Sequence, residues 1–193
     1  MKKYFAVLLV VSISVLILAA CATPPAEEMN KAQDAVTRAE NDPDALSYAP
    51  NTLVRAREAL TRMQNEANAK RYDAAKNFAA EAIALAEKAI IDGRTGAARA
   101  REEAANLISS LSRPLEETTN ALRSAQQTEN VKTDLDAVSD DLDSTRDAYN
   151  EARQDLSNDN YPDAASRAQE VRSQIANINS QLNEAMQSAS RKQ

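Results

Sequence analysis

The sequence predicts an all-α protein: an elongated bundle of about five helices, with two long antiparallel helical hairpins of coiled-coil character. Three observations carry this expectation. Glycine is nearly absent, with 2 in 193 residues, and alanine, glutamate, glutamine, asparagine and arginine are abundant, a composition that favours long helices over sheets. Apolar residues recur every three and four positions, the seam of helices packed side by side. The recurrences stop only at prolines or at short clusters of turn formers, which mark where one helix ends and the next begins.

The chain opens on Met1-Lys2-Lys3 and then runs apolar from Tyr4 to Ala20, broken only by Ser12 and Ser14. A basic start and a short greasy run make a secretory signal. A membrane-spanning helix needs about 20 apolar residues and flanking anchors, whereas Thr23, Pro24, Pro25, Glu27 and Glu28 end this run abruptly. The string Leu18-Ala19-Ala20-Cys21 resembles a lipobox, which implies cleavage between Ala20 and Cys21 and a diacylglycerol on the thiol. Two or more acyl chains hold a protein firmly at a bilayer, at about 0.8 kcal/mol per buried methylene. The expected segments are therefore a signal peptide over 1–20 and a lipidated tether over 21–26. Ala22, in place of Asp, resembles the default that sorts a lipoprotein to the outer membrane, facing the periplasm, in two-membrane bacteria. In a single-membrane bacterium the same chain is expected on the outer face of the plasma membrane.

Removing residues 1–20 takes Lys2 and Lys3 with it and leaves 173 residues with 21 basic and 29 acidic side chains, a net of −8. An acidic surface repels phosphate backbones, and there is no basic patch with interleaved aromatics, so nucleic acid is not expected as a partner, and direct adhesion to anionic lipid is not expected either. Cys21 is the single cysteine. Lipidation would consume it, so packing rather than disulfides must stabilise the domain.

The first helix is expected over 27–41, with Met29, Ala32, Val36 and Ala39 on one face. Asp42-Pro43 and Pro50 separate it from a second helix over 50–68, seamed by Leu53, Ala56, Leu60, Met63 and Ala67. A five-residue step to Tyr72 marks a turn. The third helix, 73–111, follows with Ala75, Ala79, Ala82, Ala86 and Ala89 on its seam and completes an alanine-rich domain over 27–111. Phe78, Ile83, Leu85 and Ile90 widen its apolar surface. Gly93 and Gly96 leave it free to bend; straight, it would measure about 60 Å at 1.5 Å per residue.

Ser112 and Pro114 open a second hairpin over 112–193. Its first helix is expected over 113–157, with Val131, Leu135, Val138, Leu142, Thr145, Tyr149, Ala152 and Leu156 on its seam. Asn158-Asp159-Asn160 make the turn. The last helix, 161–190, carries the cleanest stripe: Tyr161, Ala164, Ala168, Val171, Ile175, Ile178, Leu182, Ala185 and Ala189. Asn160, Pro162 and Asp163 look like a helix start with a capping pair. At a gapless offset of 89 residues, Leu53, Arg57, Ala59, Tyr72, Ala75, Ala79 and Glu81 fall on Leu142, Arg146, Ala148, Tyr161, Ala164, Ala168 and Glu170. Either an internal duplication or shared alanine richness accounts for the match.

Residues from Glu27 to about Ile91 resemble a family of bacterial lipoproteins with an alanine-rich helical domain of unknown function, sometimes joined to a peptidoglycan-binding domain of the OmpA type. The shared features are the short alanine-spaced helix, Tyr48-Ala49-Pro50 with Leu53 and Ala56, and Tyr72 followed by Ala75, Ala79, Ala82 and Ala86. The family tends to place a glycine just before that tyrosine, where this chain has Ala69-Lys70-Arg71. The resemblance brings no active site, and residues 113–193 do not look like a peptidoglycan-binding domain. Arg191 and Lys192 resemble the basic end of the murein lipoprotein, but Gln193 follows them and wall attachment by that route is not expected.

No catalytic, cofactor-binding or metal site is expected. Histidine is absent, which removes the commonest general base and metal ligand, and no serine sits in a G-x-S-x-G turn. Asp134, Asp136, Asp140, Asp141 and Asp143 would be spread around a helix, a solvated face rather than a cation cage; the same holds for Asp155, Asp159 and Asp163. Tyr72 and Tyr161 are expected to plug the ends of their hairpins. The expected function is thus non-enzymatic: a spacer, scaffold or protein-interaction module held at the membrane through Cys21, with an envelope protein or cell-wall partner and a homo-oligomer as an open option. The alternative is a carrier for a small apolar or lipid ligand, suggested by Phe78, Ile83 and Ile90.

Overall fold

The computed structural model describes residues 24–129, 131 and 133–191. Cys21 and the expected cleavage site at Ala20 and Cys21 lie outside the described residues. The helices are α1 (Ala26–Glu40), α2 (Pro43–Tyr48), α3 (Pro50–Asn68), α4 (Tyr72–Ser109), α5 (Ser112–Gln126), α6 (Leu135–Ser157) and α7 (Tyr161–Ser190). Among the described residues there is no strand, and the helices pack on one another as an all-α bundle. No helix there is long and apolar enough to cross a membrane. The chain divides into two compact units, Met1–Gly96 and Ala97–Gln193, the division falling within α4.

In the first unit α1, α3 and the first part of α4 close on a core that is mostly alanine. Ala32, Val36, Ala39, Leu53, Ala56, Met63, Ala79, Ala82, Ala86 and Ala89 are all buried, so the expected stripes face inward, with Met29 and Ala67 at their ends only partly buried. Small side chains let the helices approach closely, with Leu53, Met63 and Val36 filling the remaining space. Phe78, Ile83 and Ile90 are partly buried against this core. The Asp42-Pro43 break holds a short helix of its own. Asp42 Oδ1 accepts the Ala45 N–H at 2.9 Å, and Pro43 occupies the first turn of α2, where its missing N–H costs nothing.

The two glycines of α4 explain how α2 is held. A Cβ added to Gly93 would lie 2.5 Å from the backbone nitrogen of Ala45 and 2.6 Å from the carbonyl carbon of Asp44, and one added to Gly96 would lie 2.5 Å from Tyr48 Cβ. Gly93 and Gly96 sit within the continuous helix Tyr72–Ser109, and what they provide is room for α2 rather than a helix end.

The second unit has α5, α6, α7 and the end of α4 around larger side chains: Ile108, Leu111, Leu122, Val138, Leu142, Val171, Ile175, Ile178 and Leu182. On α7 every expected seam residue from Ala164 to Ala189 is buried. Two threonines join this core. Thr118 donates its hydroxyl to Asn179 Oδ1 at 3.1 Å, linking α5 to α7, and Thr145 donates to the carbonyl of Asp141 at 2.7 Å.

One expected element is corrected. The single helix over 113–157 is two, α5 and α6, separated at 127–134. The run Thr128, Thr133, Asp134 supplies side chains that compete with the helix backbone. Thr128 Oγ1 donates back to Ser124 O at 2.8 Å, and Asp134 adopts an extended conformation in which its side chain accepts the Ala137 N–H, starting α6. The start of α7 differs in detail as well. Asn160 makes no side-chain cap; its amide donates to Asp163 Oδ2 at 2.7 Å, so the pair stabilises itself rather than a free backbone N–H.

The turns α3–α4 and α6–α7 are the same structure at the 89-residue offset. Lys70 and Asp159 take the left-handed conformation, with φ 57° and 61°. The Arg71 N–H reaches Glu66 O at 2.9 Å, as the Asn160 N–H reaches Asp155 O at 2.9 Å. The Lys70 N–H reaches Ala67 O at 3.0 Å, as the Asp159 N–H reaches Leu156 O at 3.3 Å. Both sets are Schellman closures of the preceding helix. Burial repeats too: Leu53 with Leu142, Ala75 with Ala164, Ala79 with Ala168, Ala82 with Val171, Ala86 with Ile175 and Ala89 with Ile178.

Candidate functional site

The residue with an expected chemical fate, Cys21, stands five positions before the first residue of α1. Pro25 precedes α1 and its carbonyl accepts the Met29 N–H at 3.0 Å, so ordered helix begins almost at once. The end of the first unit where α1 starts is also the end where α3 turns into α4. Lys76 Nζ on α4 lies 3.8 Å from Glu28 Oε1 on α1. At the opposite end Arg57 Nε on α3 donates to Glu40 Oε1 on α1 at 2.6 Å, and Thr52 on α3 donates to Asp92 on α4 at 3.3 Å.

Ion pairs neutralise most charge at the end carrying Ala26. Lys31 donates to Glu27 at 2.6 Å, and Arg71 clamps Glu66 through two nitrogens, Nη2 at 2.8 Å from Oε1. These hydrogen bonds hold the Glu27 and Glu66 carboxyls below the usual carboxylate range. Glu27 and Glu28 also lie in the first turn of α1, where the helix dipole favours negative charge.

Of the apolar residues Phe78, Ile83 and Ile90, Ile83 lines an open groove of about 630 Å³ between α1 and α4, together with Lys31, Asp34, Ala35, Thr37, Arg38 and Glu87. Ile83 is the single large apolar side chain among seven lining residues. A site for an apolar ligand is mostly apolar and encloses most of the ligand surface, and this groove does neither. Phe78 lies away from it, with the Arg62 guanidinium 5.9 Å from its ring centre.

The acidic side chains are dispersed. Asp134 caps α6, Asp143 accepts from Arg146 at 2.7 Å, Asp155 accepts from Arg167 at 2.7 Å, and Asp159 accepts the Tyr161 hydroxyl at 2.7 Å. Among the described residues no three His, Cys, Asp or Glu side chains converge to hold a metal ion. Tyr72 and Tyr161 are the first residues of α4 and α7, each half-buried. Tyr48, against Gly96, has its hydroxyl pushed above its ordinary value, first by burial and then by the Asp44 charge.

Two features escaped the sequence reading. Gly93 and Gly96, three apart on an alanine-rich helix, signal the close approach of another element, and that spacing was legible. Nothing in the sequence marks Lys70 as the left-handed residue, because glycine or asparagine is the usual occupant.

No curated protein and no solved structure matches the chain significantly. A family model described as "Domain of unknown function (DUF4398)" matches residues 27–105, which takes in α1, α2, α3 and α4 as far as residue 105. The part of the chain that carries the short helix seated on paired glycines and the first left-handed turn is therefore the part similar to this family of unknown function.

Proposed function

We propose that the chain is an envelope lipoprotein, anchored by acyl chains on Cys21, whose helical units serve as a non-enzymatic spacer, scaffold or docking module for other envelope components. The observation that carries this reading is the string Leu18-Ala19-Ala20-Cys21 at the end of a signal-like apolar run, five residues ahead of a folded helix. Support comes from cores built of seam residues and outer faces covered with local ion pairs such as Lys88–Asp92 and Arg113–Glu117. The proposed location is the periplasmic face of an outer membrane, or the outer face of the plasma membrane where there is one membrane. The groove between α1 and α4 gives the ligand-carrier reading little support, being open and charged.

The test is Cys21→Ser in the native host. The variant should incorporate no labelled palmitate and should leave the membrane fraction or accumulate as uncleaved precursor. Normal maturation and labelling of that variant would end the lipoprotein reading. Crosslinking in intact cells with the lipidated form should return a specific envelope protein or wall polymer; recovering none would remove the scaffold part alone.

A further inference from the structure

We propose that the α3–α4 turn, together with the start of α1, is the membrane-facing surface of the first unit, and that Lys70 there contacts lipid phosphate. The proposal rests on the lipoprotein reading, since the lipid on Cys21 supplies the tether.

The tether sets the geometry. Five residue steps separate Cys21 from Ala26, and a fully extended chain spans at most about 3.6 Å per residue, so the headgroup plane lies within about 18 Å of the start of α1. The far end of α1, at Glu40, is about 21 Å further along the helix at 1.5 Å per residue. The Lys76–Glu28 ion pair puts the first turns of α4 beside the first turns of α1, so the turn at residues 69–71 shares the tethered end.

Lys70 is the second, independent observation. An L-residue at φ 57° is strained where glycine would not be. The equivalent residue of the second unit is Asp159, a type that tolerates this conformation and whose carboxylate accepts the Tyr161 hydroxyl. Lys70 is exposed and makes no hydrogen bond or ion pair among the described residues, whereas its neighbours Arg71, Lys76 and Lys31 are each engaged by a glutamate. Asp73, the remaining nearby carboxylate, stands in the first turn of α4, where it complements the helix dipole. The left-handed turn closes α3 through the Lys70 and Arg71 N–H groups; that closure uses the backbone alone and leaves the Lys70 ammonium exposed. The ammonium at the tethered end is placed for the anionic groups of the bilayer, which attract juxtamembrane lysines.

Because lipidation consumes the single native thiol, introduced cysteines are unique labelling sites. The full lipidated protein, its palmitate content measured, is reconstituted in vesicles of phosphatidylcholine and phosphatidylglycerol containing a headgroup-nitroxide lipid. A fluorophore is attached at Ala69→Cys, beside Lys70, at Thr61→Cys on the flank of α3, or at Asn41→Cys at the far end. The expected result is quenching severalfold stronger at 69 than at 41, with 61 between them. Lys70→Glu in the Ala69→Cys protein should reduce that quenching about twofold or more, and Lys70→Arg should not. Equal quenching at 69 and 41 in palmitate-bearing protein would overturn the orientation while leaving the lipoprotein reading intact. Unchanged quenching in Lys70→Glu would overturn the phosphate contact. Protein that carries no acyl chain would overturn both readings.

Discussion

Replacing Gly93 by alanine sets two effects of opposite sign against each other. Alanine in a helix interior is favoured over glycine by about 1 kcal/mol, so on helix propensity alone the variant gains stability. The new Cβ, however, would lie 2.5–2.7 Å from three backbone atoms of Asp44 and Ala45, against ordinary contacts near 3.5 Å. Backbone cannot swing aside as a side-chain tip can, so α2 must retreat by roughly 1 Å, unseating Ala45 and Ala49, both buried. Overpacking of this kind costs about 1–3 kcal/mol, and the absence of a flexible neighbour puts this site in the upper part of that range. The net expectation is destabilisation by about 1–2 kcal/mol. Urea titration of the mature chain, followed by circular dichroism, measures it. Ala80→Gly, at an exposed position of the same helix, calibrates the propensity effect at about 1 kcal/mol. Hydrogen exchange at the Leu46 and Ala49 amides should quicken in Gly93→Ala. A variant more stable than the parent by about 1 kcal/mol, with unchanged exchange, would refute the seating of α2 on Gly93.

Other perturbations separate further parts of the fold. Lys70→Gly should stabilise by about 0.5–1 kcal/mol through relief of the left-handed strain, and Asp159→Gly by less, since aspartate tolerates the conformation and its carboxylate holds Tyr161; equal gains in urea midpoint would contradict that distinction. Thr118→Val leaves Asn179 Oδ1 without its donor inside the second unit and should cost about 1–3 kcal/mol, whereas the added change Asn179→Leu should recover part of it in a double-mutant cycle. The Asp92 carboxyl is held below the usual range by hydrogen bonding to Lys88, as Glu66 is by Arg71. A depressed folded-state value contributes stability above the usual carboxylate range that is lost as pH falls through the depressed value. Glu66→Gln should therefore flatten the acid limb of the pH–stability curve, and an identical limb in parent and variant would show that this pair contributes nothing.

The helices follow from seam spacing because burial here is periodic and nearly complete. On α7 the buried residues are the spaced residues, and on α4 the alanines at 75, 79, 82, 86 and 89 all face inward. The break at 127–134 was harder to see. Val131 and Leu135 keep a four-residue step across it, so the pattern continues where the backbone does not, and the Asp134 cap was the signal available. The short helix α2 hid behind two prolines that read as simple breaks. The candidate site was legible only as chemistry at Cys21. What surrounds it, namely which turn shares its end of the unit and which lysine there is unpaired, depends on three helices meeting in space, and no local spacing encodes that.

The alanine seam of the first unit gives it an uneven exposure to random mutation. Each alanine codon lies one base away from codons for glycine, serine, threonine, proline, valine and either aspartate or glutamate, and only glycine among these is smaller. In a core built from leucine, a chance change to isoleucine or methionine keeps the volume and one to valine leaves a small hole, into which neighbours relax partway. Around Ala79, Ala82, Ala86 and Ala89, each fully buried, nearly every accessible change adds atoms where helices already touch, and crowding has no such relaxation. Genetic drift in this unit should accumulate on its charged outer faces while the inner stripe stays fixed, so its recognisable signature is a rhythm of small residues rather than any set of functional groups.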